Sequence, residues 1–246
     1  PGDVILKVDG YDMRPEVFEK LTDSIRGPEG TAVALWVEHN GTTLEPMIIT
    51  RAALDLQSVS VFDIDKEVSF VRIHDFSEVM PGQLLHAVID RAGAVSPQRT
   101  LVVRPDARKF IFDLRGNRGG IISAAYALCA FFSSDPNDVI VVIHSRNGET
   151  PVRVEHLPSV LRGIFAGLQA VLLVDSGTAS SAEIVAAFLK QKGVPLVGKQ
   201  TFGKASVQGL YLYGTLGLLF TIARYAAGNK EVEVDRVGVT PTHDAD

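Results

Sequence analysis

The sequence predicts an α/β protein: a short β-rich module followed by a larger core in which strands and helices alternate. Two observations carry this. The runs "DVIVVIH", "AVLLVD" and "PLVG" are apolar almost throughout, as strands buried on both faces of a partly parallel sheet must be. Stretches of helical length and spacing, "GQLLHAVIDRAG", "IISAAYALCAFF" and "SSAEIVAAFLKQKG", fall between strand-like runs. With 246 residues, 46% hydrophobic and 22% charged, the chain has material for one large core or two smaller ones.

Residues 1–51 form the first predicted unit. "DVILKVDG" reads as a strand ending in a turn dipeptide. In "RPEVFEKLTDSIRG", Pro15 opens a helix, Val17, Phe18, Leu21 and Ile25 recur at helical spacing, and Gly27 closes it. "TAVALWVEHNGTTLEPMIITR" supplies two strands around an Asn-Gly turn, a strong hairpin signal. Residues 52–246 form the second unit. There "EVSFVRIHDF" is a strand, "KFIFDLRGNRGG" a strand entering a glycine-rich loop, and "HSRNGETPVRVEHLP" a polar stretch expected as a surface hairpin or a flap. "GLYLYGTLGLLFTIARYAAG" is apolar enough to suggest a membrane helix. It carries Arg224, Gly214 and Gly217 among β-forming residues, so the expectation is two buried strands joined by a turn, with no integral membrane segment.

A formal net charge of -5 and the absence of a dense Lys/Arg run argue against nucleic acid or an anionic membrane as the main partner. The one cysteine, Cys129, sits in the apolar run "AAYALCAFF" and reads as a small buried hydrophobe, with no internal disulfide available. The start "PGDVILKVDG" has no initiator Met or signal peptide, so the chain reads as opening inside a folded unit. No His/Cys/Asp/Glu spacing suggests a metal, and no cofactor is expected.

"GKQTFGK" places Gly198, Gly203 and Lys204 at the spacing of a phosphate-cradling loop. The next residue is Ala205, where the magnesium-binding hydroxyl belongs, and "SVQGLYLYG" continues as strand. Without a helix N-terminus there is no aligned set of amides to hold phosphate. A nucleotide-binding reading is therefore a distant third.

Other chemistry lies upstream. "VLLVDSGTASSAEIVAAFL" is a strand, a turn of small residues, and a helix beginning near Ser180 or Ser181. A serine at that junction has an exposed hydroxyl beside orphan backbone N–H groups, the needs of a nucleophile at an oxyanion hole. Taken alone, the same segment is a good N-cap, with Ser180 or Thr178 capping and Glu183 completing a capping box. In "DLRGNRGG", Gly119 or Gly120 can offer a further amide to an oxyanion, or simply make a turn at positive φ. In "TFGKASVQ", Lys204 and Gln208 lie four apart, on one face if the segment is a strand, so Gln208 can orient the lysine.

"DLRGNRGG", "SGTASSAEI" and "GKQTFGKASVQ", in this order along the chain, resemble the carboxyl-terminal processing (tail-specific) peptidases, the Ser/Lys-dyad family of serine proteases. Residues 1–51 resemble the latter part of a PDZ domain of the bacterial protease-associated kind, from "PGDVILKVDG" to "IRGPEGTAV". "LLFTIARY" and "VGVTPTHD" continue the likeness, which covers nearly the whole chain. The resemblance implies a partial PDZ-like peptide-binding module at 1–51 and a Ser/Lys protease core of the ClpP/crotonase-like kind at 52–246. It implies Ser180 as nucleophile, Lys204 as general base, Gln208 as its orienting partner, and an oxyanion hole of the Ser181 amide with Gly119 or Gly120. The implied partner is a polypeptide with an exposed C-terminal tail, in an extracytoplasmic compartment such as periplasm, cell wall or lumen; homo-oligomerisation is compatible with this. Three departures stand out. The family commonly reads "ASASE" or "ASAAE" where this chain has Ala179-Ser180-Ser181-Ala182-Glu183, so two serines compete by one position. The segment from Glu183 to Lys204 is one residue short, and Gln191 stands where many members have an acid.

A lysine base must be neutral. At an ordinary pKa near 10.4 only roughly one lysine in 2,500 is neutral at pH 7, so burial has to bring the value down to about 7 or 8. Phe202, Val207, Leu196 and Val197 supply apolar surface for that, and no Asp or Glu lies between Gly193 and Gly228. His74, His86, His144 and His156 sit in segments without an accompanying turn or acid motif, which disfavours a Ser–His–Asp arrangement. The reading of a different class is a peptide-binding or scaffolding relative whose dyad has lapsed. It predicts no Ser180-dependent turnover.

Overall fold

The computed structural model describes residues 3–14, 18–52, 57–95, 101–103, 109–213, 216–228 and 232–245. The chain divides into two compact units, Pro1–Leu56 and Gln57–Asp246.

In the first unit the elements run β1 (Val4–Val8), β2 (Tyr11–Asp12), α1 (Phe18–Ile25), β3 (Ala32–His39), β4 (Thr42–Thr43) and β5 (Met47–Thr50). They form an antiparallel sheet ordered β2-β1-β3-β4, with β5 also paired to β3. The expected Asn-Gly turn lies between β3 and β4, with Asn40 and Gly41 both at positive φ, as a tight hairpin of this twist requires. In β3 every second residue, Val33, Leu35 and Val37, faces inward onto Val8 and Leu21. Arg51 closes the unit. Its Nε donates to the Ile25 carbonyl at 3.0 Å and its Nη2 to the Ser24 carbonyl at 2.6 Å, satisfying orphan acceptors at the C-terminus of α1.

In the second unit follow β6 (Val59–Asp63), β7 (Val68–Ile73), α2 (Met80–Ala92), β8 (Gly93–Val95), β9 (Leu101–Val103), β10 (Lys109–Asp113), α3 (Ile122–Phe132), β11 (Val139–Ser145), β12 (Gly148–Arg153), β13 (Ala170–Val174), α4 (Ser181–Gln191), β14 (Leu196–Gly198), β15 (Ser206–Tyr213), β16 (Leu216–Ala227), β17 (Val232–Glu233) and β18 (His243–Asp244). A six-stranded sheet has the order β18-β14-β13-β10-β7-β6, parallel throughout except for β6. The apolar helix α3 is buried from Ala124 to Phe131 and packs on α4. The shared core includes Phe110, Phe112, Phe131 and Phe165, each at most 2% exposed. Removing one such ring costs about 3–5 kcal/mol by transfer and cavity terms.

Two expectations need correction. "DVIVVIH", read from its apolar run as a core strand of the α/β pattern, is β11 and belongs to a separate antiparallel sheet, β12-β11-β16-β15, with β17 on β16. Burial on both faces produces the same run in either kind of sheet. The apolar segment near the C-terminus does form two strands, β15 and β16, but their outer part is not buried: Tyr211, Leu218, Phe220 and Ile222 are 43–63% exposed. Tyr211 stacks on Phe220 with centroids 4.8 Å apart, so the ribbon packs against itself. The turn residues 214–215 lie outside the described residues. The polar stretch after β11 is a hairpin, with β12 paired antiparallel to β11.

Candidate active site

The strands β10, β13 and β14 are parallel neighbours, so the loops that leave them emerge at one edge of the sheet. Ligand sites in parallel sheets favour this carboxyl edge. The three loops hold Gly119 and Gly120, Ser180, and Lys204 respectively.

Hydrogen bonds lace these loops together. Asn117, 1% exposed, donates from Nδ2 to the Ile73 carbonyl at 2.8 Å; its carbonyl accepts the Ala179 N–H at 2.9 Å and its Oδ1 the Gly119 N–H at 2.8 Å. Asp175 Oδ1 accepts the N–H groups of Gly116 at 2.8 Å and Gly177 at 2.9 Å. Thr178 donates its hydroxyl to the Leu114 carbonyl at 2.9 Å, and its own carbonyl accepts the Phe202 N–H at 2.9 Å. Gly119 is packed against the serine turn: a Cβ there would lie 2.8 Å from the Ala179 carbonyl oxygen and 2.9 Å from both Ser180 Cβ and Ser181 N. Only glycine fits, and its φ of +93° asks for glycine as well.

Ser180 stands at the N-cap position of α4 with φ 57° and ψ -123°. A non-glycine residue in that region stores on the order of 1–3 kcal/mol, and persists only where its surroundings over-determine it. Here they do. The Ser180 N–H donates to Glu183 Oε2 at 2.9 Å, and the Ser180 carbonyl accepts from the Tyr225 hydroxyl at 2.9 Å. Lys204 is gripped by the same pair: its N–H donates to Glu183 Oε2 at 2.8 Å and its carbonyl accepts from the Tyr225 hydroxyl at 2.9 Å. The second oxygen, Glu183 Oε1, takes the Gly203 N–H and the Thr201 hydroxyl, each at 2.6 Å. Glu183 is fully buried, and four donors make that burial tolerable for a carboxylate. Burial, with a smaller contribution from the Glu183 charge, pushes the Tyr225 hydroxyl's pKa up, so it remains a donor. One hydroxyl hydrogen is shared between the two carbonyls.

A cleft of about 380 Å³ opens here, lined by Ser180, Ser181, Lys204, Gln208, Gly120 and Arg118, among others. Ser180 and Lys204 are half-buried. Among the described residues the Lys204 amine has no ion pair and no hydrogen bond. Ser181 is 3% exposed, and its hydroxyl donates to the Gly120 carbonyl at 2.9 Å. Of the two glycines, Gly119 has its N–H engaged by Asn117, whereas the N–H of Gly120 and that of Ser181 have no partner among the described residues. Lys204 and Gln208 do not share a regular strand face, because β15 begins at Ser206 and its register shifts between Val207 and Gln208. Both nevertheless border the cleft. Phe202, expected to help bury Lys204, is 65% exposed.

Sequence reasoning had Glu183 only as the acid of a capping box, and did not single out Asn117, Tyr225 or Arg118. The stretch from Gly193 to Gly228 contains no acid of its own, yet Glu183 lies beneath the backbone of Lys204. Its position three residues after Ser180 was the available signal; the donors from residues 201–204 come from another loop.

A family model described as peptidase family S41 matches residues 67–245. The carboxy-terminal processing protease CtpA of Bacillus subtilis is 28% identical over 245 residues, covering 98% of this chain and 48% of that protein. The carboxyl-terminal-processing protease of Synechocystis is 27% identical over 250 residues, covering 98% of this chain and 54% of that one. The chain thus spans about half the length of these curated relatives. Among solved structures, the photosystem II D1 C-terminal processing protease shares the fold, with a TM-score of 0.61 at 22% identity over all of this chain and 63% of that one. The family match runs from β7 past β18 and takes in all three loops of the cleft; the chain belongs to peptidase family S41.

Proposed function

We propose that this chain acts as a serine endopeptidase that cleaves polypeptides near unstructured C-termini. The observation that carries the reading is the joint gripping of Ser180 and Lys204 by Glu183 and Tyr225 at one cleft. Lys204, as general base, takes the Ser180 hydroxyl proton. Ser180 Oγ attacks the peptide carbonyl, the leaving amine is protonated by Lys204, and water then hydrolyses the acyl-enzyme with Lys204 again as base. Gln208, which borders the same cleft, is the candidate to orient the amine as it approaches Ser180. The oxyanion is received by the Ser181 and Gly120 amides, since the Gly119 N–H is engaged elsewhere. Ser180 is favoured over Ser181 as nucleophile because the Ser181 side chain is buried and already donating.

The core reads as ClpP/crotonase-like, and the first unit as a partial PDZ-like module that takes the substrate tail. The setting proposed for the chain is extracytoplasmic or lumenal; one relative is named as chloroplastic. Among the described residues no helix is long and apolar enough to cross a membrane.

Incubation with an unfolded polypeptide, followed by mass spectrometry, tests this. Cleavage by the chain that is lost in Ser180→Ala supports the peptidase; equal product from Ser180→Ala would end it.

A further inference from the structure

Gly120 meets Phe76 as an isolated parallel bridge: the Phe76 N–H donates to the Gly119 carbonyl at 3.1 Å, and the Ile121 N–H donates to the Phe76 carbonyl at 2.6 Å. Each trans peptide points its N–H and C=O in opposite directions. With the Gly119 carbonyl and the Ile121 N–H both turned to Phe76, the N–H and the carbonyl of Gly120 itself face the other way, toward the serine turn. The carbonyl is there met by the Ser181 hydroxyl at 2.9 Å, the N–H beside it has no partner among the described residues, and Gly120 lines the cleft. A Cβ at Gly120 would lie 2.5 Å from the Phe76 carbonyl oxygen, so this close approach requires glycine.

We propose that the Ser181 hydroxyl is the positioning group of the oxyanion hole, tying the loop that carries one donor, the Gly120 N–H, to the first turn of α4 that carries the other, the Ser181 N–H. The inference rests on the Ser180–Lys204 reading above. Two donors stabilise an oxyanion only while their spacing is fixed before charge develops. Without the hydroxyl, the Gly120 carbonyl loses its hydrogen bond to the helix, and the donor pair can splay. The group touches no substrate, so its loss should weaken the transition state and leave ground-state binding alone.

The test compares the chain with Ser181→Ala, Ser181→Thr and Ser180→Ala in hydrolysis of a fluorogenic peptide, together with inhibition by a peptide aldehyde whose hemiacetal places an oxyanion in the hole. For Ser181→Ala we expect kcat about tenfold lower, a fraction of the effect of deleting a donor outright. KM should be unchanged, aldehyde affinity should fall in parallel with kcat, and Ser181→Thr, which keeps the hydroxyl, should recover most of both. Thermal melts of each variant separate this from a folding defect, which would lower the active fraction without weakening the aldehyde. Unchanged kcat and aldehyde affinity in Ser181→Ala, or a change confined to KM, overturns the positioning role. Activity surviving in Ser180→Ala but vanishing in Ser181→Ala would instead overturn the nucleophile assignment on which it rests.

Discussion

The backbone amides of Ser180 and Lys204, 24 residues apart in the chain, converge on a single oxygen, Glu183 Oε2, at 2.9 and 2.8 Å. Their carbonyls converge in turn on the Tyr225 hydroxyl, at 2.9 Å each. The two residues are thus fixed relative to each other through their main chains, and both border the cleft.

Replacing Glu183 by Gln keeps the shape and removes the charge. The amide presents an NH2 toward groups that are themselves donors, leaving at least one buried N–H unpaired. We expect a loss of about 2–3 kcal/mol in stability, since an unsatisfied buried group costs about 1–3 kcal/mol and charge-assisted bonds are the stronger kind. Turnover should fall with it. Chemical denaturation and peptide hydrolysis measure the two effects.

Tyr225→Phe removes one hydroxyl and keeps the ring. The expected cost in stability is about 1 kcal/mol, the net worth of a hydrogen bond, with kcat falling about tenfold as the Ser180–Lys204 spacing relaxes. The variant also carries a pH signature. The buried hydroxyl holds its proton above the pH at which an unfolded tyrosine releases one. The native state therefore binds more protons than the unfolded state once pH exceeds about 10, and stability falls as pH rises there. Thermal melts between pH 8 and 11 should show a shallower alkaline decline in Tyr225→Phe than in the unmodified chain.

Gly119→Ala places a methyl against Ala179, Ser180 and Ser181 at a φ of +93°. Strain on the order of 1–3 kcal/mol is expected, together with displacement of the serine turn. Turnover should drop by more than the lowered melting temperature accounts for.

Much of this architecture is legible from local pattern. The helix after Ser180, the strands β13 and β14 and the glycine turn at 119–120 follow from apolar runs and small residues whose meaning is short-range. The hairpin β15–β16 was legible as strands but not in its burial, because apolar composition does not say whether a ribbon is covered or stacks on itself, as Tyr211 does on Phe220. Of the candidate site, the serine, the lysine and the glycines were legible, because they stand in contiguous motifs. Tyr225, 45 positions from Ser180, was not, because its role arises only when β16 returns past the start of β15. Glu183 looked like a helix cap and is one; its second role depends on a loop no spacing rule connects to it.

On the proposed mechanism Ser180 owes its nucleophilicity to Lys204. A fluorophosphonate that forms a covalent adduct with activated serines tests it directly, with the modified residue located by peptide mapping in the unmodified chain and in Lys204→Ala. One adduct is expected, on Ser180, formed at least about 100-fold more slowly in Lys204→Ala, the scale of a lost general base. An adduct on Ser181, or labelling of Ser180 at an undiminished rate without Lys204, would contradict it.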